Sequence, residues 1–121
     1  MKHHVTPGKD DLLFLPLGGS DEIGMNLNLY GHKGKWIMVD CGITFIDELG
    51  MDVAMPDPTF LKENKKDLLG LVVTHGHEDH IGAIAHLYQY FECPIYATPF
   101  TAFLIREKLK EAGMAKVAPV I

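Results

Sequence analysis

At 121 residues the chain holds one compact unit on the usual scale of about 100–200 residues per domain, which excludes multidomain machinery within it. Hydrophobic residues at 47% and charged residues at 22% lie near globular averages, so disordered, collagen-like and mucin-like chains are excluded and one filled core is expected. The net charge of −5, from 11 Lys and Arg against 16 Asp and Glu, gives no broad basic surface that would neutralise phosphates unaided.

The segment Met1–Asp11 carries His3 and His4 and reads as a flexible leader, with the folding unit expected over 12–121. Leu12–Leu17 reads as a strand, Asn26–Tyr30 as a second and Trp36–Asp40 as a third, with the Gly31-His32-Lys33-Gly34 cluster turning the last two into a hairpin. Pro16 cannot donate to a ladder and belongs at an edge or a bulge. From Cys41 to Pro58 the chain reads as a long irregular loop, before a short polar helix near Thr59–Lys65. Leu69–Val73 is a continuous apolar run, expected as a central strand covered on both faces.

Helical spacing over Asp79–Tyr90 places Ile81, Ile84, Ala85 and Tyr88 on one side, and a short strand Pro94–Ala97 follows. Pro99 opens a last helix that Gly113 stops near Ala112, and Val117–Ile121 reads as a final strand. This order predicts an α/β layered fold whose sheet starts antiparallel and continues through crossover helices. No apolar stretch approaches the roughly 18–20 residues that cross a bilayer. Cys41 and Cys93, without CxxC spacing, suit a reducing cytoplasm, so a soluble cytoplasmic protein is expected.

The chemistry concentrates in Thr74-His75-Gly76-His77-Glu78-Asp79-His80, directly after the apolar strand. In an extended segment residues two apart project to one side, so His75 and His77 form a chelating pair, with Gly76 relieving crowding between them. Asp79 and His80 open the following helix and offer an oxygen and a nitrogen to a second ion. The mixed N/O set favours zinc, with manganese or another first-row ion as the alternative. Any one of these histidines alone would more often be a surface residue; the cluster at a strand end reverses that weighting. Glu78 falls on the other side in alternation and is expected in solvent or behind the ligands.

Asp40 sits at a strand end before Cys41-Gly42 and has two readings: a turn-forming Asp, or a carboxylate that supports a ligand by accepting its hydrogen bond. His86 lies two turns from Asp79, about 10 Å, too far to share an ion. His3, His4 and His32 lack partners in the pattern, and Cys41 reads as a small buried filler. Ser20–Gly24 reads as a tight connection between strands.

At the level of motifs, His75, His77, Asp79 and His80 match the His-x-His-x-Asp-His pattern of the metallo-β-lactamase superfamily. More narrowly, Leu17-Gly18-Gly19, Glu22-Ile23-Gly24-Met25-Asn26, Val39-Asp40-Cys41-Gly42, Pro56-Asp57, the histidine cluster through Gly82, and Pro94-Ile95-Tyr96-Ala97-Thr98 resemble the opening of the ribonuclease J family. The resemblance implies the first half of an αββα sandwich, a mixed sheet with helices on its outer face. It implies two zinc ions, one on His75 and His77 and the other on Asp79 and His80, with Asp40 behind the ligands and Asp79 also a proton acceptor. The implied activity is hydrolysis of RNA phosphodiesters, from a 5′-monophosphate end and internally, by a homo-oligomer acting in RNA decay and processing.

The later metal motifs, the β-CASP domain and the C-terminal region of that family lie beyond this sequence, which corresponds to roughly the first fifth of such an enzyme. The chain is therefore expected to be a truncated domain with weak metal affinity and little nuclease activity by itself. Two alternatives remain at the level of sequence: another hydrolase with the same motif, such as a thioesterase like glyoxalase II, and a noncatalytic association module.

Overall fold

Alternation builds the first half of the sheet. The computed structural model describes residues 8, 12–18, 26–45, 53–114 and 120–121, without the side chains at 44, 45, 53, 54, 78 and 79. Leu12–Gly18 (β1), Leu27–His32 (β2) and Lys35–Val39 (β3) pair antiparallel in sequence. Lys33 and Gly34 alone make the turn between β2 and β3, both at positive φ (50° and 78°), the backbone twist that a two-residue hairpin demands. Pro16 lies on edge strand β1, where the register shifts between Pro16 and Gly18, as a residue without an N–H requires.

Within the stretch expected to be irregular, Thr44–Phe45 (β4) and Val53–Ala54 (β5) form a small antiparallel ribbon. Two-residue strands are too short to leave a period in the sequence. Thr59–Glu63 (α1) and a 3₁₀ turn at Lys65–Asp67 lead into Leu68–Val72 (β6), which runs parallel to β3. Ile95–Tyr96 (β7) pairs parallel with β6 and completes a five-stranded sheet of order β1-β2-β3-β6-β7.

The helix expected over 79–90 is two helices, Glu78–Ile81 (α2) and Ile84–Phe91 (α3). The interruption has a tertiary cause: the Ala83 N–H donates to the carbonyl of Cys41 at 2.9 Å, so it is diverted from the helical ladder. Pro99–Glu111 (α4) starts with proline in its first turn, where the missing N–H costs nothing, and ends before Gly113 at φ 74°. Of the strand expected over Val117–Ile121, 117–119 lie outside the described residues, and Val120 bridges Ile95 in the parallel sense. The 1–11 leader, Gly8 apart, and Ser20–Gly24 lie outside the described residues as well.

One face of the sheet carries the core. Leu27, Leu29, Trp36, Met38, Leu71 and Ile95 are buried with Phe60, Leu61, Leu87 and Phe91 from α1 and α3, and Trp36 meets Phe60 edge-on at 5.2 Å. The other face is apolar but open. Phe14, Tyr30, Ile37, Val72 and Tyr96 are each 41–52% exposed, and the register lines up Phe14 with Tyr30, Tyr30 with Ile37, and Val72 with Tyr96. The expectation of a central strand covered on both faces is therefore corrected: β6 is fourth of five, and its Leu69 and Val72 are exposed. A continuous apolar run reports burial potential, and here the described helices cover one side.

The two faces respond differently to truncation. Met38→Ala should cost about 2–5 kcal/mol of unfolding free energy in a urea melt, as a buried large-to-small change. Ile37→Thr, one residue away on the open face, should cost less than about 1 kcal/mol and should lower binding of the dye ANS to the native chain; unchanged dye binding would place the exposed apolar surface elsewhere.

Candidate metal centre

The centre is assembled where β3 and β6, parallel neighbours, end side by side. Asp40 ends β3 in the left-handed region at φ 64°, a conformation that Asp tolerates better than most residues. Backbone bonds fasten this turn: the Asp40 N–H to Val72 O at 2.9 Å, the Cys41 N–H to His80 O at 2.8 Å and the Gly42 N–H to Asn26 O at 3.0 Å. The Asp40 carboxylate is thereby aimed across the gap at the loop after β6.

Three groups meet it there. Oδ1 accepts the backbone N–H of Thr74 at 2.8 Å, Oδ2 accepts the Thr74 hydroxyl at 2.8 Å, and Oδ2 faces His80 Nδ1 at 2.7 Å. Asp40 is only 5% exposed, and a carboxylate so far from water is tolerable because donors surround it. Thr74 Oγ1 also lies 3.1 Å from His75 Nδ1 and 3.4 Å from His80 Nδ1. Thr74 had no role in the sequence reading; its position directly before the first histidine, at the end of an apolar run, is the only signal that could have raised it.

Three of the candidate ligands come together. The His75 ring stands edge-on to His77 at 5.1 Å between centroids and lies against His80 at 3.6 Å. The carbonyl of His77 accepts the N–H groups of His80 and Ile81 at 2.9 and 3.0 Å, so the first bonds of α2 fix the path from His77 to His80. The side chains of Asp79 and Glu78 lie outside the described residues, although both belong to α2. Among the described residues no group of three or more His, Cys, Asp or Glu could hold a metal ion. Imidazole nitrogens suit zinc or a related first-row ion in kind, and the described side chains do not by themselves close a cage around one.

Gly76 has a tertiary partner that the sequence does not reveal. A Cβ there would come 2.4 Å from Leu104 Cδ1 of α4, so beyond its chain neighbours the space beside this residue is already filled. Helix α4 packs against the backbone between His75 and His77.

The remaining candidates stay apart from the cluster. His86 is exposed on α3 and lines a separate cavity of about 340 Å³ with Lys108 and Glu111. His32 is exposed at the β2–β3 hairpin, and His3 and His4 lie outside the described residues. Cys41 is fully buried; burial first, and then the Asp40 charge beside it, push its thiol far above the ordinary range. Burial also pushes the Cys93 thiol from 9.0 up to about 11.

With this geometry in hand, the class is plain. The chain belongs to the metallo-β-lactamase superfamily, whose family model matches residues 25–117. Within it, the sequence is homologous to ribonuclease J: it is 48% identical over 112 residues to ribonuclease J of Sinorhizobium meliloti and 46% identical over 106 residues to that of Synechocystis. These matches cover 88% and 85% of this chain but 20% and 17% of the relatives, so the chain spans about a fifth of their length. Among solved structures, a long form RNase Z from yeast superposes with a TM-score of 0.56 at 19% identity, over 93% of this chain and 18% of that one. That likeness concerns the fold, a mixed five-stranded sheet with helices that matches part of the metallo-β-lactamase architecture.

Three outcomes follow from the buried carboxylate and the two buried thiols. Asp40→Asn keeps the volume but sets an amide donor among donors, and should lower stability by about 1–3 kcal/mol in urea unfolding. Both thiols should resist Ellman's reagent in the native chain at neutral pH and react once it is unfolded. Because the folded thiol of Cys93 titrates above its unfolded value, its contribution to stability is complete below pH 9.0 and is lost as pH rises toward about 11.

Proposed function

We propose that the chain is the N-terminal part of the metallo-β-lactamase domain of a cytoplasmic, metal-dependent ribonuclease of the ribonuclease J type. The observation that carries this reading is the gathering of His75, His77 and His80 at the end of β6, with the buried Asp40 carboxylate against His80. Homology to ribonuclease J over most of the chain supports RNA as the substrate class. His75 and His77 would hold one divalent ion, zinc or manganese, and Asp79 with His80 a second; bound there, such ions supply Lewis-acid polarisation of a scissile phosphodiester.

The chain's own residues supply position. Asp40 orients His80 by accepting from its Nδ1 side, as an outer carboxylate does for a ligating imidazole. The backbone of α2 fixes the spacing between His77 and His80, and α4 braces the loop at Gly76. Asp79 is the ligand and proton acceptor in this scheme. The complete enzyme would act as a homo-oligomer on 5′-monophosphate ends and internal sites during RNA decay and processing. The isolated chain, with two protein ligands for each ion, would bind metal weakly and cleave little.

Calorimetric titration of the 121-residue chain with zinc should give weak binding that His77→Ala weakens further, by removing one ligand of the His75–His77 pair. Tight uptake of two ions by the isolated chain would overturn the half-site description. The nuclease reading is tested by grafting this segment in place of its counterpart in the S. meliloti ribonuclease J. The chimera should degrade 5′-monophosphorylated RNA, and His77→Ala in it should slow the reaction by about 100-fold or more; a folded, metal-loaded but inactive chimera would sink the assignment.

A further inference from the structure

We propose that the Thr74 hydroxyl selects the ring tautomer of His75, placing the proton on Nδ1 and leaving the Nε2 lone pair for a cation. The link to a cation rests on the reading of His75 as a metal ligand, whereas the proton's place follows from hydrogen-bond accounting alone. A carboxylate only accepts, so both oxygens of Asp40 call for hydrogens. Oδ1 has the backbone N–H of Thr74 at 2.8 Å. Oδ2 has two neighbours, Thr74 Oγ1 at 2.8 Å and His80 Nδ1 at 2.7 Å. A hydrogen must lie on each of these neighbours, because otherwise two acceptors would confront one another at contact distance.

The hydroxyl carries one hydrogen, and that hydrogen is committed to Asp40. Toward His75 Nδ1, 3.1 Å away, Thr74 Oγ1 can then only accept, so Nδ1 must be the donor. An unconstrained neutral imidazole favours the proton on Nε2, so the hydroxyl reverses the default. One carboxylate thus orients two imidazoles, His80 directly and His75 through Thr74, and these belong to the two different ligand pairs of the proposed function. Thr74 is a positioning residue. Its backbone N–H holds Oδ1 whatever its side chain, so the strand-to-strand clamp survives loss of the hydroxyl.

The test is long-range proton–nitrogen NMR of the histidine rings in the metal-free 121-residue chain, with the imidazoles neutral, for the unchanged chain, Thr74→Val and Thr74→Ser. His75 and His80 are expected as Nδ1–H tautomers in the unchanged chain. Thr74→Val should return His75 to mainly Nε2–H and leave His80 and the backbone amide spectrum unchanged, and Thr74→Ser should restore Nδ1–H. In a parallel zinc titration Thr74→Val should weaken binding by about 10–100-fold, with Thr74→Ser close to the unchanged chain. A His75 already in the Nε2–H form, or one that keeps its tautomer in Thr74→Val, overturns the proposal. Tautomers that behave as expected in a chain that takes up no zinc support it while overturning the metal reading beneath it.

Discussion

The arrangement at the end of the sheet depends on one buried carboxylate that can only accept hydrogen bonds. Asp40 leaves β3 in a left-handed turn and is held there by bonds from Asp40, Cys41 and Gly42 to Val72, His80 and Asn26. Two consequences follow, one from the acceptor-only carboxylate and one from the turn that carries it. The neighbouring loop must present donors, which it does with the amide and hydroxyl of Thr74 and with His80. The helix after the loop must also yield, because Cys41 takes the Ala83 N–H for itself and splits α2 from α3. The turn therefore shapes both the imidazole cluster and the secondary structure around it.

Much of this was legible where the determinants are local. The Gly31-His32-Lys33-Gly34 cluster marks the hairpin, although only Lys33 and Gly34 form its turn and Gly31 and His32 belong to β2, and Pro16 marks an edge or bulge because it lacks a donor. The bounds of α4 followed from Pro99 and Gly113. The histidine cluster was conspicuous because residue spacing on one short segment dictates which side chains can meet. Asp40 was left between two readings by sequence, since a turn-forming Asp and a hydrogen-bonded carboxylate look the same until the partner strand is known.

What escaped detection is what depends on partners remote in sequence. The break at Ala83 is fixed by Cys41, more than one element away, and its local sign, Gly82, is too common inside helices to mark a break by itself. Coverage of β6 was overestimated because an apolar run does not say how many layers the chain can supply to bury it. The result is a sheet with a filled face and an open one, the open one paved by Phe14, Tyr30, Ile37, Val72 and Tyr96. A chain that spans about a fifth of its relatives' length and has this asymmetry carries its core and its imidazole cluster in the same small set of strands.

The contact beneath Gly76 bears on how the sequence can drift. The Leu104 side chain of α4 lies where a Cβ at 76 would go, and α4 is reached only after two helices and a strand have intervened. Methyl groups can accumulate at one of these positions only as they are given up at the other, or as the leucine swings its terminal carbon aside. The loop that carries His75 and His77 and the helix behind it thus meet at a leucine methyl, the part of that contact most able to rotate away when the loop changes.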